Sequence, residues 1–266
     1  MNLAMSVSIR RGDLSVEGER LLLKLRPMKG MPVASVSTGD GRHFLVVSDL
    51  HMGLTSRIGL RRPLPEEEAS EICQTIMAAG KRAKADRLVI LGDLKHGLFE
   101  PNPYERKALR SLSEELAGRF DVWIVKGNHD YGIEDSVDSR IRMVGKGGLE
   151  LDDAVFIHGH SLPRLSDDLR SYRMIICGHI HPQMMLGGEW MPVWLFLEGR
   201  GKTSPKKVVV MPHFSKYASR AGYRPGPPAA IAPFMARLEV DSYDYSMKDL
   251  SLIDIARGKA ATILSG

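Results

Sequence analysis

The chain has 266 residues, a formal charge of +5 and an apolar fraction of 43%, the balance of an ordinary globular protein and not of a disordered or fibrous one. No apolar run is long enough to cross a bilayer, and no signal peptide is read over residues 1–11. Two cysteines far apart, Cys73 and Cys177, make no disulfide framework, so a reducing cytoplasm is expected, with Cys177 as inert core.

Residues 5–27 alternate apolar and polar and read as strands and turns at the start of a sheet. Residues 28–41, rich in Gly, Pro and Ser, read as a connection. His43-Phe-Leu-Val-Val-Ser48 is a buried-type strand ending in Asp49-Leu50-His51, and a loop carrying Arg57, Arg61 and Arg62 follows. Helical spacing of Ile72, Ile76 and Met77 predicts a helix over 66–84, whose acidic first turn suits the helix dipole. Residues 87–91 form the next strand, ending in Gly92-Asp93-Leu94-Lys95-His96-Gly97, and a second helix is expected over 104–119.

Residues 120–125 form a strand that runs into Gly127-Asn128-His129-Asp130, where the glycine is expected to let the backbone turn sharply. The chain has few side-chain amides, which makes the one at Asn128 informative. Residues 141–151 read as a short strand and turn. Residues 154–157 are a strand ending in His158-Gly159-His160, and 161–173 are polar and partly helical. Residues 174–177 lead to Gly178-His179-Ile180-His181-Pro182. Strands are then expected over 193–197, 207–211 and 235–240, joined by basic loops.

Five strand ends thus carry polar clusters, and seven of the nine histidines lie in them, which chance placement does not explain; His43 and His213 fall outside. Residues i and i+2 of a strand point the same way, so Asp-x-His and His-x-His pairs are expected to converge just beyond the strand ends. Imidazole, carboxylate and amide together suit manganese, iron, zinc and similar ions and are too nitrogen-rich for calcium or magnesium. The number of donors exceeds what one ion needs, which favours a pair.

The ordered series Asp-x-His, Gly-Asp, Gly-Asn-His-Asp, His-Gly-His and Gly-His-x-His, spanning residues 49–181, resembles the calcineurin-like metallophosphoesterase superfamily. Gly92-Asp-Leu-Lys-His96, Gly178-His-Ile-His-Pro182, Pro192-Val-Trp-Leu-Phe-Leu197 and Val208-Val-Val-Met-Pro212 look like an archaeal branch related to bacterial DNA-ligase-associated phosphoesterases. The resemblance implies an α/β fold, a four-layer α/β/β/α sandwich of two mixed sheets flanked by helices, as a single domain over residues 1–266. Strands and a connection would occupy 1–41, the motif-bearing core 42–182, and second-sheet strands and a tail 183–266.

It further implies that Asp49, His51 and His181 hold one divalent ion, that Asn128, His158 and His179 hold a second, and that Asp93 bridges them. Manganese is the expected metal, with iron, zinc, nickel or cobalt as alternatives, and a hydroxide between the ions would attack phosphorus in line. His129 is implied as the group that protonates or stabilises the leaving alkoxide.

Other residues stay open between roles. His160 is a ligand, a support for one, or a substrate contact. Asp130 is read as holding its loop through backbone N–H groups rather than touching substrate. His96 orients His129 or a ligand, or is a plain loop residue. Lys95 lies near a phosphate oxygen or is simply exposed. Arg57, Arg61 and Arg62 line the path of a polyanion or belong to a solvated loop, as do Arg200, Lys202, Lys206, Lys207, Lys216, Arg220 and Arg224. His213 is read as core or loop, with an approach to the site from the second sheet as the alternative. Residues 190–196 are core or interface.

The expected activity is a metal-dependent phosphodiesterase, most readily a nuclease on DNA or RNA, since basic loops supply sequence-independent phosphate contacts. The alternatives are hydrolysis of a small phosphoester and a scaffold for a helicase or ligase partner; intact ligand motifs speak against pure scaffolding.

Overall fold

Period-two alternation of side chains decides how this chain layers itself. In the computed structural model, which describes residues 23–54, 65–161, 172–186, 189–199, 207–215, 240–247 and 252–253, the strands fall into two mixed sheets. The first comprises β1 (Lys24–Pro27), β2 (Ala34–Ser37), β3 (His43–Ser48), β4 (Arg87–Leu91), β5 (Asp121–Val125) and β6 (Arg142–Val144), in that spatial order. β1, β2 and β3 pair antiparallel, and β3 to β6 run parallel. The crossovers are α1 (Pro65–Ala83) and α2 (Pro103–Ala117).

Asn102 caps α2 by accepting from the backbone N–H groups of Tyr104 and Glu105, while Glu105 accepts from the N–H of Asn102 in return. Both helices lie on one face of the sheet, burying Ile76, Leu109 and Leu112 against Leu45, Val47, Leu88, Ile90 and Ile124.

The second sheet has β7 (Leu149–Leu151), β8 (Ala154–Ile157), β9 (Met174–Cys177), β10 (Gln183–Leu186), β11 (Glu189–Gly199), β12 (Lys207–Val210), β13 (Val240–Met247) and β14 (Leu252–Ile253). Its order is β14-β13-β11-β12-β9-β8-β7, with β10 paired to β11. Strands β8, β9 and β12 run parallel. The sheets share a core in which Phe44, Val46, Val89 and Leu91 of the first face Phe156, Ile176, Trp194 and Val209 of the second. Trp194 lies inside this core, so the apolar run around it is core over that stretch.

Two expectations change. The stretch read as a connection contains β2: Ala34 and Val36 point inward while Ser35 and Ser37 lie half-exposed, an alternation that the serines and neighbouring glycines disguise. Residues 141–151 hold two strands that belong to different sheets, so the chain changes sheets between Val144 and Leu149. A strand runs over Val240–Met247, while residues 235–239 of the strand expected over 235–240 lie outside the described residues. The outer face of the second sheet is also buried, with Val155, Ile157, Ile175, Cys177 and Val210 all inaccessible, but no helix among the described residues covers it. The segment 162–171, expected to be partly helical, lies outside them.

Candidate metal centre

Parallel strands β3, β4 and β5 of one sheet and β8, β9 and β12 of the other deliver their C-terminal ends to a common edge, where open α/β sheets place ligands. Asp49 and His51 follow β3, Asp93 follows β4, and Asn128 and His129 follow β5; His158, His179 and His181 come from the second sheet.

The convergence does not come from strand alternation. β3 stops at Ser48 and β9 at Cys177, and the pairs beyond them sit in left-handed turns. Asp49 (φ 56°), His51 (46°), Asp93 (54°), His179 (68°) and His181 (47°) all have positive φ. This conformation costs a non-glycine residue about 1–2 kcal/mol, and surrounding structure must hold it. Backbone bonds do so between loops: His51 N–H donates to the carbonyl of Asp93 (2.8 Å) and Gly178 N–H to that of His158 (2.9 Å).

Gly127 also differs from expectation. Its φ is not positive, and it is needed for space, because a Cβ there would overlap the Asp93 carboxylate. Gly178 has the same role against Ser48 and Asp49.

Three donor groups result: His51, His96 and His129 form one that is all imidazole, and the other two each carry a carboxylate. Asp49, His51 and His181 offer ligand atoms within 4.8 Å of one another, and so do Asp93, His158 and His179. In the Asp49 group, the Nε2 atoms of His51 and His181 lie 3.1 Å apart and His181 Nε2 is 3.1 Å from Asp49 Oδ1. In the Asp93 group, His158 Nε2 is 3.3 Å from Asp93 Oδ2 and 3.2 Å from Asn128 Oδ1. Asp93 Oδ2 also lies 3.7 Å from His51 Nε2, so it reaches both carboxylate-bearing groups. His158 Nδ1 donates to the carbonyl of Leu91 (2.8 Å), which leaves Nε2 for the centre.

The electrostatics follow from burial. It pushes His51 down to about 3 and His179 down to about 4, and the neighbouring imidazoles add to it, so both rings are neutral. Burial opposes a charge on His158 too, yet Asp93 and Asp49 outweigh it and raise the ring to about 9. Asp49 and Asp93 are held below the usual carboxylate range because the surrounding histidines overcome their burial. In effect His158 keeps a proton where two carboxylates call for positive charge. Neutral imidazoles facing ionised carboxylates are a donor set that fits divalent cations of the manganese–zinc series.

The supporting residues sort themselves plainly. Asp130 is fully buried: one carboxylate oxygen accepts from Gly127 N–H (2.9 Å) and Asp93 N–H (2.8 Å), the other from Leu94 N–H (2.8 Å). It ties two loops together. His129 donates its backbone N–H to Asp93 (2.9 Å), and its Nδ1 donates to the carbonyl of His96 (2.5 Å). Its Nε2 is then 3.9 Å from Asp93 Oδ2.

His96 stacks on His129 at 5.5 Å between ring centres and places Nδ1 3.4 Å from Nδ1 of His51. Lys95 is neither exposed nor free to reach a phosphate. Its ammonium is fully buried and donates to the carbonyls of Gly97 (2.5 Å), Phe99 (2.6 Å) and His129 (2.6 Å). His160 packs 5.3 Å from the ring of His158, with its Nδ1 buried and unpaired, and it belongs to none of the donor groups.

His213 is buried and packs beside the centre, its ring 5.2 Å from that of His181 and its Nδ1 donating to the carbonyl of Ser215 (2.7 Å). Its place just after the third parallel strand of its sheet was the signal in the sequence. Arg57, Arg61 and Arg62 lie outside the described residues, as do Arg200, Lys202, Lys206, Lys216, Arg220 and Arg224.

The fold is similar to that of the Pseudomonas putida nuclease MPE, with a TM-score of 0.55 at 17% identity over 85% of this chain and 97% of that one. The Escherichia coli phosphoesterase Yfce aligns at 20% identity over 82% of this chain and 96% of that one, with a TM-score of 0.37. No curated protein sequence matches the chain. Residues 43–191, more than half of the chain and all of the clusters described above, match the calcineurin-like phosphoesterase superfamily domain, and the chain belongs to that superfamily.

Proposed function

We propose that the protein is a phosphodiesterase dependent on two divalent cations, manganese foremost, and that it cleaves nucleic acid. The observation that carries this reading is Asp93, whose Oδ2 lies 3.3 Å from His158 of one carboxylate-bearing donor group and 3.7 Å from His51 of the other. Asp49, His51 and His181 would hold one cation, Asn128, His158 and His179 the other, and Asp93 would touch both. Such a pair, when bound, lowers the proton affinity of water and neutralises charge on phosphoryl oxygens.

The chain's own residues supply the rest. His129, fixed by its Nδ1 bond to the His96 carbonyl, presents Nε2 as the atom that carries a proton to the leaving alkoxide. Asp130 and Lys95 hold the loop that carries it, through backbone groups alone. The positive net charge favours a polyanion over a small ester. The resemblance to ligase-associated phosphoesterases points the same way.

The test is turnover of labelled single- and double-stranded DNA, RNA and small diesters with manganese, at low and high salt, after metal analysis of the purified protein. Cleavage of oligonucleotides that weakens with salt supports the nuclease reading. Hydrolysis of small esters alone would replace it with a small-molecule phosphoesterase, and two bound ions with no hydrolysis at all would favour the scaffold.

A further inference from the structure

The exposed large apolar side chains among the described residues number four, and all lie in one corner: Leu98 (54% exposed), Phe99 (77%), Tyr104 (73%) and Tyr131 (63%). Elsewhere the described apolar side chains of this size are buried or partly so, which makes the grouping informative. The corner adjoins the metal centre. Phe99 and His129 offer their carbonyls to the same buried ammonium of Lys95, each at 2.6 Å. Tyr131 follows His129 by two residues, and Gly132, at φ 70°, lies so close to Glu100 that a Cβ would press on its side chain. The loops carrying the two aromatic rings are therefore fastened to each other and to His129 by the Lys95 ammonium and by the close approach of Gly132 to Glu100, while the rings themselves face solvent.

We propose that Phe99 and Tyr131 form a stacking platform for unpaired nucleobases next to the scissile phosphate, on the His129 side of the centre. This rests on the nuclease reading and narrows it to single-stranded substrate. A flat exposed ring accepts any base by its π-face, so the platform supplies affinity without sequence preference. A base paired in a duplex has both faces covered and cannot use it. Placing the platform on the loops that hold His129 puts the base contact and the leaving-group contact in fixed register, with Lys95 as the positioning residue between them.

The test is fluorescence anisotropy of full-length protein, with chelator present to prevent cleavage, against labelled strands of about 12 nucleotides. Oligo-dT, oligo-U, an abasic strand of equal charge and a duplex are compared, so that DNA and RNA sources of the base are separated. The wild type is expected to bind at least one of the two single strands about tenfold more tightly than the abasic strand or the duplex. The double variant Phe99→Ala/Tyr131→Ala should lose that preference, and Phe99→Trp should keep it. Equal binding to based and abasic strands, as expected if the corner is instead a protein contact, overturns the platform. So does a preference that survives in the double variant. If the wild type cleaves oligonucleotides yet shows no base preference, only the platform fails; if it neither binds nor cleaves them and still hydrolyses small diesters, the nuclease reading fails with it.

Discussion

His158 and His129 occupy neighbouring loops and are set up for different work. His158 Nε2 holds a proton up to about pH 9 because Asp93 and Asp49 lie beside it. A cation at that nitrogen must displace the proton. Metal loading below pH 9 is therefore expected to release about one proton per protein, and apparent affinity should rise about tenfold per pH unit until it levels near 9. His51 and His179 contribute nothing to this slope, since both are already neutral. Titration calorimetry of manganese in buffers of differing ionisation enthalpy measures the released proton. Under the proposed assignment His129 holds no cation. His129→Ala should leave two ions per chain by metal analysis while turnover falls roughly 10²- to 10⁴-fold. Loss of metal instead would make His129 a ligand.

At the scale of the elements, the loops after β4 and β5 approach so closely that only glycine fits at 127. Gly127→Ala forces the Asp93 carboxylate to move, and manganese affinity is expected to drop at least about tenfold, from the loss of one well-placed contact. Gly145→Ala is the matched control: nothing lies within 4 Å of a Cβ there and its φ is not positive, so metal affinity should not change. Equal effects at the two positions would show that general backbone stiffening, and not crowding at Asp93, is what matters. Asp130 acts at the same scale by joining both loops. Its replacement by Ala leaves three N–H donors, two of them buried, without an acceptor, and stability measured by urea unfolding should fall by at least about 2 kcal/mol.

Across the whole molecule, the two carboxylate-bearing donor groups draw residues from both sheets: Asp49 and His51 meet His181, and Asp93 meets His158 and His179. Bound cations would therefore clamp the two sheets at one edge, adding to the apolar core between them. Ligand bound only to the folded state at a thousandfold excess over Kd stabilises by about 4 kcal/mol. For a chain of this size that corresponds to a rise in Tm on the order of 10 °C. Scanning fluorimetry with excess manganese and with chelator measures it, and identical melting under both conditions would mean that no ion bridges the sheets.

The strands that end in candidate donor residues were legible because each is a short apolar run followed by a polar cluster, as in 87–91 before Asp93 and 174–177 before His179. The donor chemistry was legible for the same reason: imidazoles and carboxylates gathered at strand ends have few other uses. β2 was hidden because its outward positions are serines, residues common to loops and exposed strand faces alike. The buried state of Lys95 was hidden because it depends on a remote carbonyl, that of His129, which meets the ammonium only after folding. Likewise the left-handed turns at Asp49, His51, Asp93, His179 and His181 contradict local preference and persist only because loops from other strands hold them. The sequence by itself determined which side chains are available for the chemistry and at which strand ends they emerge, since both follow from local composition. Tertiary structure alone decided which of them share a point in space, because that depends on how the two sheets pack and on turns that no local sequence would choose.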